Sequence, residues 1–433
     1  MTRGAGVAIH AWTKAKPRKF ALIEYISLEL GDAAEQVMRN KGSAGIDGMT
    51  VSELPELLRA QWGNIRRKLR EGTYIPAPVR RVDIPKPTGG TRMLGIPTVL
   101  DRTIQQAIAM VLTTEFEPFF SEYSYGFRCG RSAHDAVKQA QEYVRQGYRW
   151  VVEIDLSKFF DRVNHDILMS RIAKVIDCKA TLKLIRRYLK AGIMEDGLAK
   201  ARTEGVPQGS PLSPLLSNIM LTELDWELER RGLHFARYAD DCNIYVRSEA
   251  AAERVLGSVT RFIEEKLKLR VNRDKSGTFR PCDSVFLGYS FSKCDYSRLI
   301  VAASRIKRLK LKMREIFFRA RGTSLKQTIV KMTQVLRGWR NYFKLDTRKG
   351  VFEELDSLFR RHLRKLIWIA WKKPKKRERE LARRGLDPFN AWKSSVNGRG
   401  AWWNAGAAHM AIAFPNRVFA RMGLYSLKSM AIC

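Results

Sequence analysis

The stretch from Arg237 to Val246, Arg-Tyr-Ala-Asp-Asp-Cys-Asn-Ile-Tyr-Val, constrains this chain more than any other. Aromatic and β-branched residues on either side of Asp240 and Asp241 read as two short strands, so the acid pair belongs at or beside a hairpin turn. Two neighbouring carboxylates there repel each other, a cost that a hard divalent cation shared with a further acid relieves. Asp also favours turns for its own hydrogen bonding. The stretch alone therefore fits an ordinary turn more readily than a metal site, and it is the rest of the chain that overturns the turn reading.

Charge gives the first separation. Lys and Arg number 79 against 44 Asp and Glu, a formal charge of +35. Such an excess repels itself and implies a polyanionic partner. From Arg298 to Cys433 stand 33 basic and 8 acidic residues, a net of +25, so the C-terminal third is the expected electrostatic grip. The 433 residues leave room for two or three domains, and 45% hydrophobic content describes a globular chain. The six cysteines are scattered, without the close pairs that hold zinc. No apolar run is long enough to span a bilayer. A cytoplasmic protein with no membrane partner is expected.

Taken in order, the chain offers helical patterns around Leu22–Val37 and Leu54–Leu69, then a β-ribbon over residues 79 to 98. Its Thr88-Gly89-Gly90 tip is flanked by Lys86 and Arg92, two cations suited to clamping a triphosphate. An amphipathic helix is expected from Asp101 to Phe120. Ser124-Tyr125-Gly126-Phe127-Arg128 precedes Ser132, an N-cap for a helix from Ala133 to Gln146. Trp150 to Asp155 reads as a buried strand ending on a carboxylate. Gly205 to Pro214 is a rigid loop opening a helix to about Arg230, with Gln208 able to hydrogen-bond a base or sugar. A helix from Ala250 to Leu267 and a strand from Val285 to Phe291 follow. Three apolar helical stripes lie beyond Arg298, then a basic, partly unstructured bridge from Lys372 to Arg384 and a tryptophan-bearing tail.

In this order, Ile84-Pro85-Lys86, Ser124 to Arg128, Glu153-Ile154-Asp155, Pro207-Gln208-Gly209, Tyr238 to Asp241 and Phe286-Leu287-Gly288 resemble the reverse transcriptases encoded by bacterial group II introns, the maturases. Gly338-Trp339 and Asn341-Tyr342-Phe343 extend the resemblance beyond Arg298. It implies an α/β right-hand polymerase with fingers and N-terminal extension in 1–150, palm in 151–297, an all-α thumb in 298–385 and a small DNA-binding tail in 386–433. It implies two magnesium ions on Asp155, Asp240, Asp241 and the backbone carbonyl of Leu156. Lys86, Arg92, Phe160, Gln208 and Lys275 become the nucleotide pocket, with Phe160 the ring that excludes a ribose 2′ hydroxyl. Its neighbour Phe159 is the alternative, one of the two being core. Arg337, Trp339, Arg340, Lys372, Lys373, Lys375 and Lys376 become nucleic-acid contacts.

The chain ends at Cys433 without the paired cysteines of a zinc-associated nuclease, so the resemblance is to the compact class lacking the endonuclease. The implied partners are group II intron RNA, template RNA, primer DNA, target DNA and deoxynucleoside triphosphates. Alternatives are a noncatalytic RNA-binding splicing cofactor and an antiphage or retron-type reverse transcriptase. Intact Asp155, Asp240, Asp241, Lys86 and Gln208 argue against the first, the maturase-like segment against the second.

Overall fold

A computed structural model describes residues 22–85, 89–195, 198–200, 202–320 and 322–429. Lys86 lies outside them. The chain divides into two compact units, Met1–Phe286 and Leu287–Cys433.

Unit 1 opens with helices α1 (Leu22–Arg39) and α2 (Leu54–Arg70), strands β1 (Val79–Pro85) and β2 (Thr91–Ile96), and helix α3 (Val99–Phe116). It continues through α4 (Ala133–Arg145), β3 (Trp150–Ile154), the short α5 (Phe159–Arg162), α6 (His165–Val175), α7 (Lys179–Lys190), β4 (Ile193–Glu195) and β5 (Leu198–Lys200). Helix α8 (Ser213–Arg230), β6 (His234–Tyr238), β7 (Asp241–Val246), α9 (Glu249–Glu265) and β8 (Gly277–Phe279) complete it. The strands form two sheets, ordered β2-β1-β4-β5 and β6-β7-β3-β8.

The local chemistry explains these boundaries. Ser132 caps α4 by accepting from the Asp135 N–H, and Asp135 reciprocates in a capping box. Gly147, at φ 90°, ends that helix and turns the chain into β3. Val152 and Ile154 bury β3 against the apolar stripe of α9 and the helices of the unit 1 core, and Val151 is buried as well. The ribbon of β1 and β2 is antiparallel as expected, pairing Ile84 with Arg92.

One expectation changes. The helix after β2 was expected to be amphipathic, but α3 also buries Asp101, Arg102 and Gln105. Asp101 is tolerated there because it accepts from Tyr74 Oη at 2.7 Å, Tyr188 Oη at 3.2 Å and the Ala77 N–H at 3.0 Å. A buried acid with its oxygens satisfied does not force its face to solvent.

Unit 2 carries a two-stranded pair, β9 (Tyr289–Phe291) and β10 (Leu299–Val301), then helices α10 (Ala303–Arg319), α11 (Leu325–Tyr342) and α12 (Lys349–Ala370). Helices α13 (Pro374–Ala382), α14 (Pro388–Ser395), α15 (Ala401–Gly406), α16 (Ala408–Ala413) and α17 (Asn416–Arg421) follow. The strand expected from Val285 starts only at Tyr289, because Leu287 and Gly288 hold left-handed backbone at φ 52° and 84°. The bridge expected to be partly unstructured contains α13, pinned by buried Leu381 and by the Arg377 guanidinium over Trp368 at 4.6 Å. Ala391, Met410, Phe414, Phe419 and Leu427 share one core with Leu309, Leu336, Phe359 and Trp368. Among the described residues no helix is long and apolar enough to cross a membrane.

Candidate active site

Strand β3 delivers Asp155 and strand β7 delivers Asp241. Their antiparallel register pairs Ile154 with Cys242, so one residue further on Asp155 stands opposite Asp241, and opposed residues share a face of the sheet. Asp240 sits in the turn between β6 and β7, after Ala239 in left-handed backbone at φ 58°. Asp155 is thereby brought to the Asp240-Asp241 pair, from which it is distant in sequence.

Their charges act on one another. Burial and then the charge of Asp155 raise the Asp240 carboxyl above its ordinary range, with Arg92 and Arg237 opposing. Asp241 is pushed up to about 6, by burial first, then by Asp240, Asp155 and Glu153, against the pull of Lys275. Asp241 nonetheless keeps part of the residue exposed at the start of β7, although its carboxyl is crowded by these neighbours. Among the described residues no three His, Cys, Asp or Glu side chains are arranged to hold a metal ion by themselves.

Asp155 is the most firmly fixed of the three. Its N–H donates to Ser276 Oγ at 3.0 Å, its carbonyl accepts from the Asn272 N–H at 2.8 Å, and Lys275 Nζ lies 3.4 Å from its Oδ2. Leu156 faces Val271 in an antiparallel bridge. The flanking bonds, Ser157 N–H to Arg270 O and Asn272 N–H to Asp155 O, make this a pair without mutual hydrogen bonds. The Leu156 carbonyl therefore points away from Val271.

The remaining pocket residues of unit 1 are divided. Arg92 is exposed on β2, and its charge reaches Asp240. The Gln208 carbonyl accepts from the Gly95 N–H at 2.8 Å, tying the Pro207-Gln208-Gly209 loop to the strand that carries Arg92. Phe159 and Phe160 stack edge-on at 5.2 Å. Phe159 is the core ring, 2% exposed, while Phe160 is only partly buried.

Sequence reasoning missed what lies beneath the turn. Arg237 is fully buried and grips Asp225 through two bonds of 2.6 Å. It also donates to the Ala239 carbonyl at 2.8 Å, Asn218 Oδ1 at 3.1 Å and Ser124 Oγ at 2.7 Å. Asn218 Nδ2 in turn donates to the Gly126 carbonyl at 2.9 Å. A Cβ on Gly126 would lie 2.3 Å from Ala239 N, so the Ser124–Arg128 segment is a buttress against which the acid turn is moulded. The sequence signals only the need, since an arginine within the apolar run of β6 requires a buried acid; the structure supplies it as Asp225, the one acid on α8 with no exposure.

In unit 2, Arg337 and the four lysines Lys372, Lys373, Lys375 and Lys376 are exposed. Arg340 is not. It lies 4.2 Å over the Phe352 ring and donates to the Leu427 and Phe343 carbonyls at 3.0 and 2.8 Å. The expected nucleic-acid contact is thus corrected to a packing role, since its donors are spent inside the protein. Trp339 is half-buried against Phe343 and Phe352.

Comparison with known proteins adds an independent line. Residues 84–291 match the family model for reverse transcriptase (RNA-dependent DNA polymerase), and residues 306–385 match the group II intron, maturase-specific domain. Protein YkfC of Escherichia coli (strain K12) is 35% identical over 301 residues, 60% of this chain and 79% of that protein. The group II intron-encoded protein LtrA of Lactococcus lactis subsp. cremoris is 39% identical over 202 residues, 45% of this chain but only 32% of LtrA. A chain of a solved partial Cas6-RT-Cas1–Cas2 complex is 28% identical, covering 55% of this chain and 41% of that one with a TM-score of 0.35.

Proposed function

The chain belongs to the reverse transcriptases that carry a group II intron maturase domain, and on that premise we propose that it is an RNA-directed DNA polymerase that binds its group II intron RNA, assists its splicing and copies it into DNA during retrohoming. The observation that carries this reading is the opposition of Asp155 and Asp241 beside the Asp240 turn. Asp240 and Asp241, their carboxyls raised by burial and then by the charge of neighbouring acids, form with Asp155 a hard-oxygen donor set suited to magnesium. Asp155, Asp240 and Asp241, with the Leu156 carbonyl, would hold two such ions, which when bound supply charge neutralisation at a primer 3′ hydroxyl and at the leaving pyrophosphate.

The protein's own groups do the rest. Lys275, resting on Asp155, supplies a proton or positive charge to pyrophosphate. Arg92 and Lys86 neutralise the triphosphate of the incoming deoxynucleotide, Gln208 lines its pocket, and the partly buried Phe160 fills the space of a ribose 2′ hydroxyl. Fingers in 1–150 and palm in 151–297 hold template RNA and primer DNA. The basic thumb in 298–385 grips intron RNA, and the tail in 386–433 meets target DNA, all within the cytoplasm.

Primer extension tests the reading. The purified protein is expected to extend a DNA primer on an RNA template with deoxynucleotides and magnesium. Tight RNA binding with no extension would leave a splicing cofactor in its place. Gly126→Ala is expected to slow extension about 100-fold, because an ångström of displacement in a reacting group has about that effect. Wild-type rates in that variant would mean the Ala239 turn does not position the acids.

The net +25 from Arg298 to Cys433 sets a further expectation. The logarithm of RNA affinity should fall linearly with the logarithm of salt, by roughly 0.7 to 0.9 per phosphate neutralised. Filter binding over a salt series measures this, and a flat line would remove the electrostatic grip from the account.

A further inference from the structure

We infer that unit 2 holds a pocket for a single unpaired nucleobase, walled by Phe317, His362 and Trp402 and ringed by Lys310, Arg314 and Lys365. The inference deepens the reading of the chain as nucleic-acid-binding and rests on it. The cavity measures about 270 Å³, room for a base and part of its sugar but not for a paired duplex. Its floor is apolar, with Met313 and Phe317 of α10 and Phe359 of α12 all buried.

The wall is a run of rings. His362 lies parallel to Phe317, centroids 4.6 Å apart and planes 11° apart, and meets Trp402 at 4.7 Å with the rings tilted by 51°. Trp402 is held by Arg361, whose guanidinium sits over the indole at 4.2 Å and donates to the Trp402 carbonyl at 3.0 and 3.3 Å. Gly406 permits that approach, since a Cβ there would come 2.8 Å from Arg361 Cζ. The wall is thus fixed, yet Trp402 remains 37% exposed. A fixed, partly open ring surface is what a planar ligand stacks upon.

The rim supplies the charge. Lys310, Arg314 and Lys365 line the cavity, and none of the described residues lining it is acidic. Three cations without an acid among them repel one another, and the phosphates flanking an inserted base relieve that repulsion. Burial, then Lys365, Arg314 and Arg361, hold His362 down at about 4. Its imidazole is therefore neutral at physiological pH and offers one donor and one acceptor to a base edge. Rings alone would suit any apolar ligand and cations alone any anion. Together they select a nucleotide within a single strand.

Photocrosslinking and affinity measurements on the full chain test this. The probes are a short RNA hairpin with one bulged 4-thiouridine, the same hairpin fully paired, and DNA versions of both. The bulged probe is expected to crosslink within the peptides carrying Phe317, His362 or Trp402. Trp402→Leu should weaken its binding about 5- to 100-fold while leaving the paired hairpin unaffected, and Trp402→Phe should restore it. Lys310→Gln with Lys365→Gln should flatten the salt dependence for the bulged probe alone. The RNA and DNA arms identify the kind of strand that supplies the base. Crosslinks elsewhere, or equal weakening of bulged and paired probes in Trp402→Leu, would overturn the pocket while leaving RNA binding intact. Failure of the wild-type chain to bind even the paired RNA would instead remove the reading beneath it. Should Trp402→Leu lower the melting temperature, the lysine pair decides, and an unchanged salt slope there overturns the proposal.

Discussion

Asp240→Asn is expected to reduce primer extension by about 1,000-fold or more without loosening the fold. The first part follows from charge. A site whose contribution is electrostatic stabilisation by bound cations loses several kcal/mol of it when a ligand loses its charge, and each 1.36 kcal/mol is a factor of ten in rate. The second part follows from repulsion. Asp240 is raised by burial and by Asp155, so its negative charge is a burden to the folded state in the absence of a cation. Removing that charge should leave the melting temperature unchanged or slightly higher, the exchange of stability for activity seen at functional sites. RNA affinity should stay within twofold. A variant that still polymerised near the wild-type rate would strip Asp240 of its role, and one that unfolded would make it structural.

Asp225→Ala should have the opposite signature. Arg237 and Asp225 are both fully buried and joined by two 2.6 Å bonds. Removing one partner strands the other charge in the core, at a cost of about 3–5 kcal/mol. The Arg237 donors to Ala239 and Ser124 would be disturbed at the same time, so stability and extension should fall together. Replacing both members, Asp225→Leu with Arg237→Met, should recover much of the stability, because a well-packed apolar pair needs no desolvation of charge. It should not recover extension, since the Ala239 carbonyl loses its donor. Denaturant unfolding of the three variants beside their extension rates checks this. Full activity in the double variant would show that the buried pair serves the fold alone.

How much of this was legible before the structure depends on the kind of signal. The apolar run of β3 and the aromatic and β-branched residues of β7 located those strands to within a residue, while β6 starts three residues before the stretch read as strand; Asp155, Asp240 and Asp241 lie at the ends and turn of these strands. The N-cap at Ser132 is local and legible too, whereas its reciprocal bond with Asp135 was seen only in the structure. What escaped was non-local. Nothing near Arg237 in the sequence names Asp225, Asn218 or Ser124 as its partners, and the glycine at 126 gives no hint that Ala239 presses on it. Arg340 was misplaced because a basic residue in a basic helix reads as surface, whereas its donors are used by carbonyls at Phe343 and Leu427. The strand expected from Val285 was shortened by a left-handed Leu287, a conformation that composition does not announce.

The proposed reaction requires cations bound among Asp155, Asp240 and Asp241 when nucleotides are joined. Iron(II) substituted for magnesium, in a complex of the full chain with chain-terminated primer, template and incoming nucleotide, generates radicals that cut the backbone beside the metal. Cuts are expected at residues 154–156 and 239–241, and their loss in Asp155→Asn. Cuts confined to other segments, or an unchanged pattern in that variant, would contradict the account.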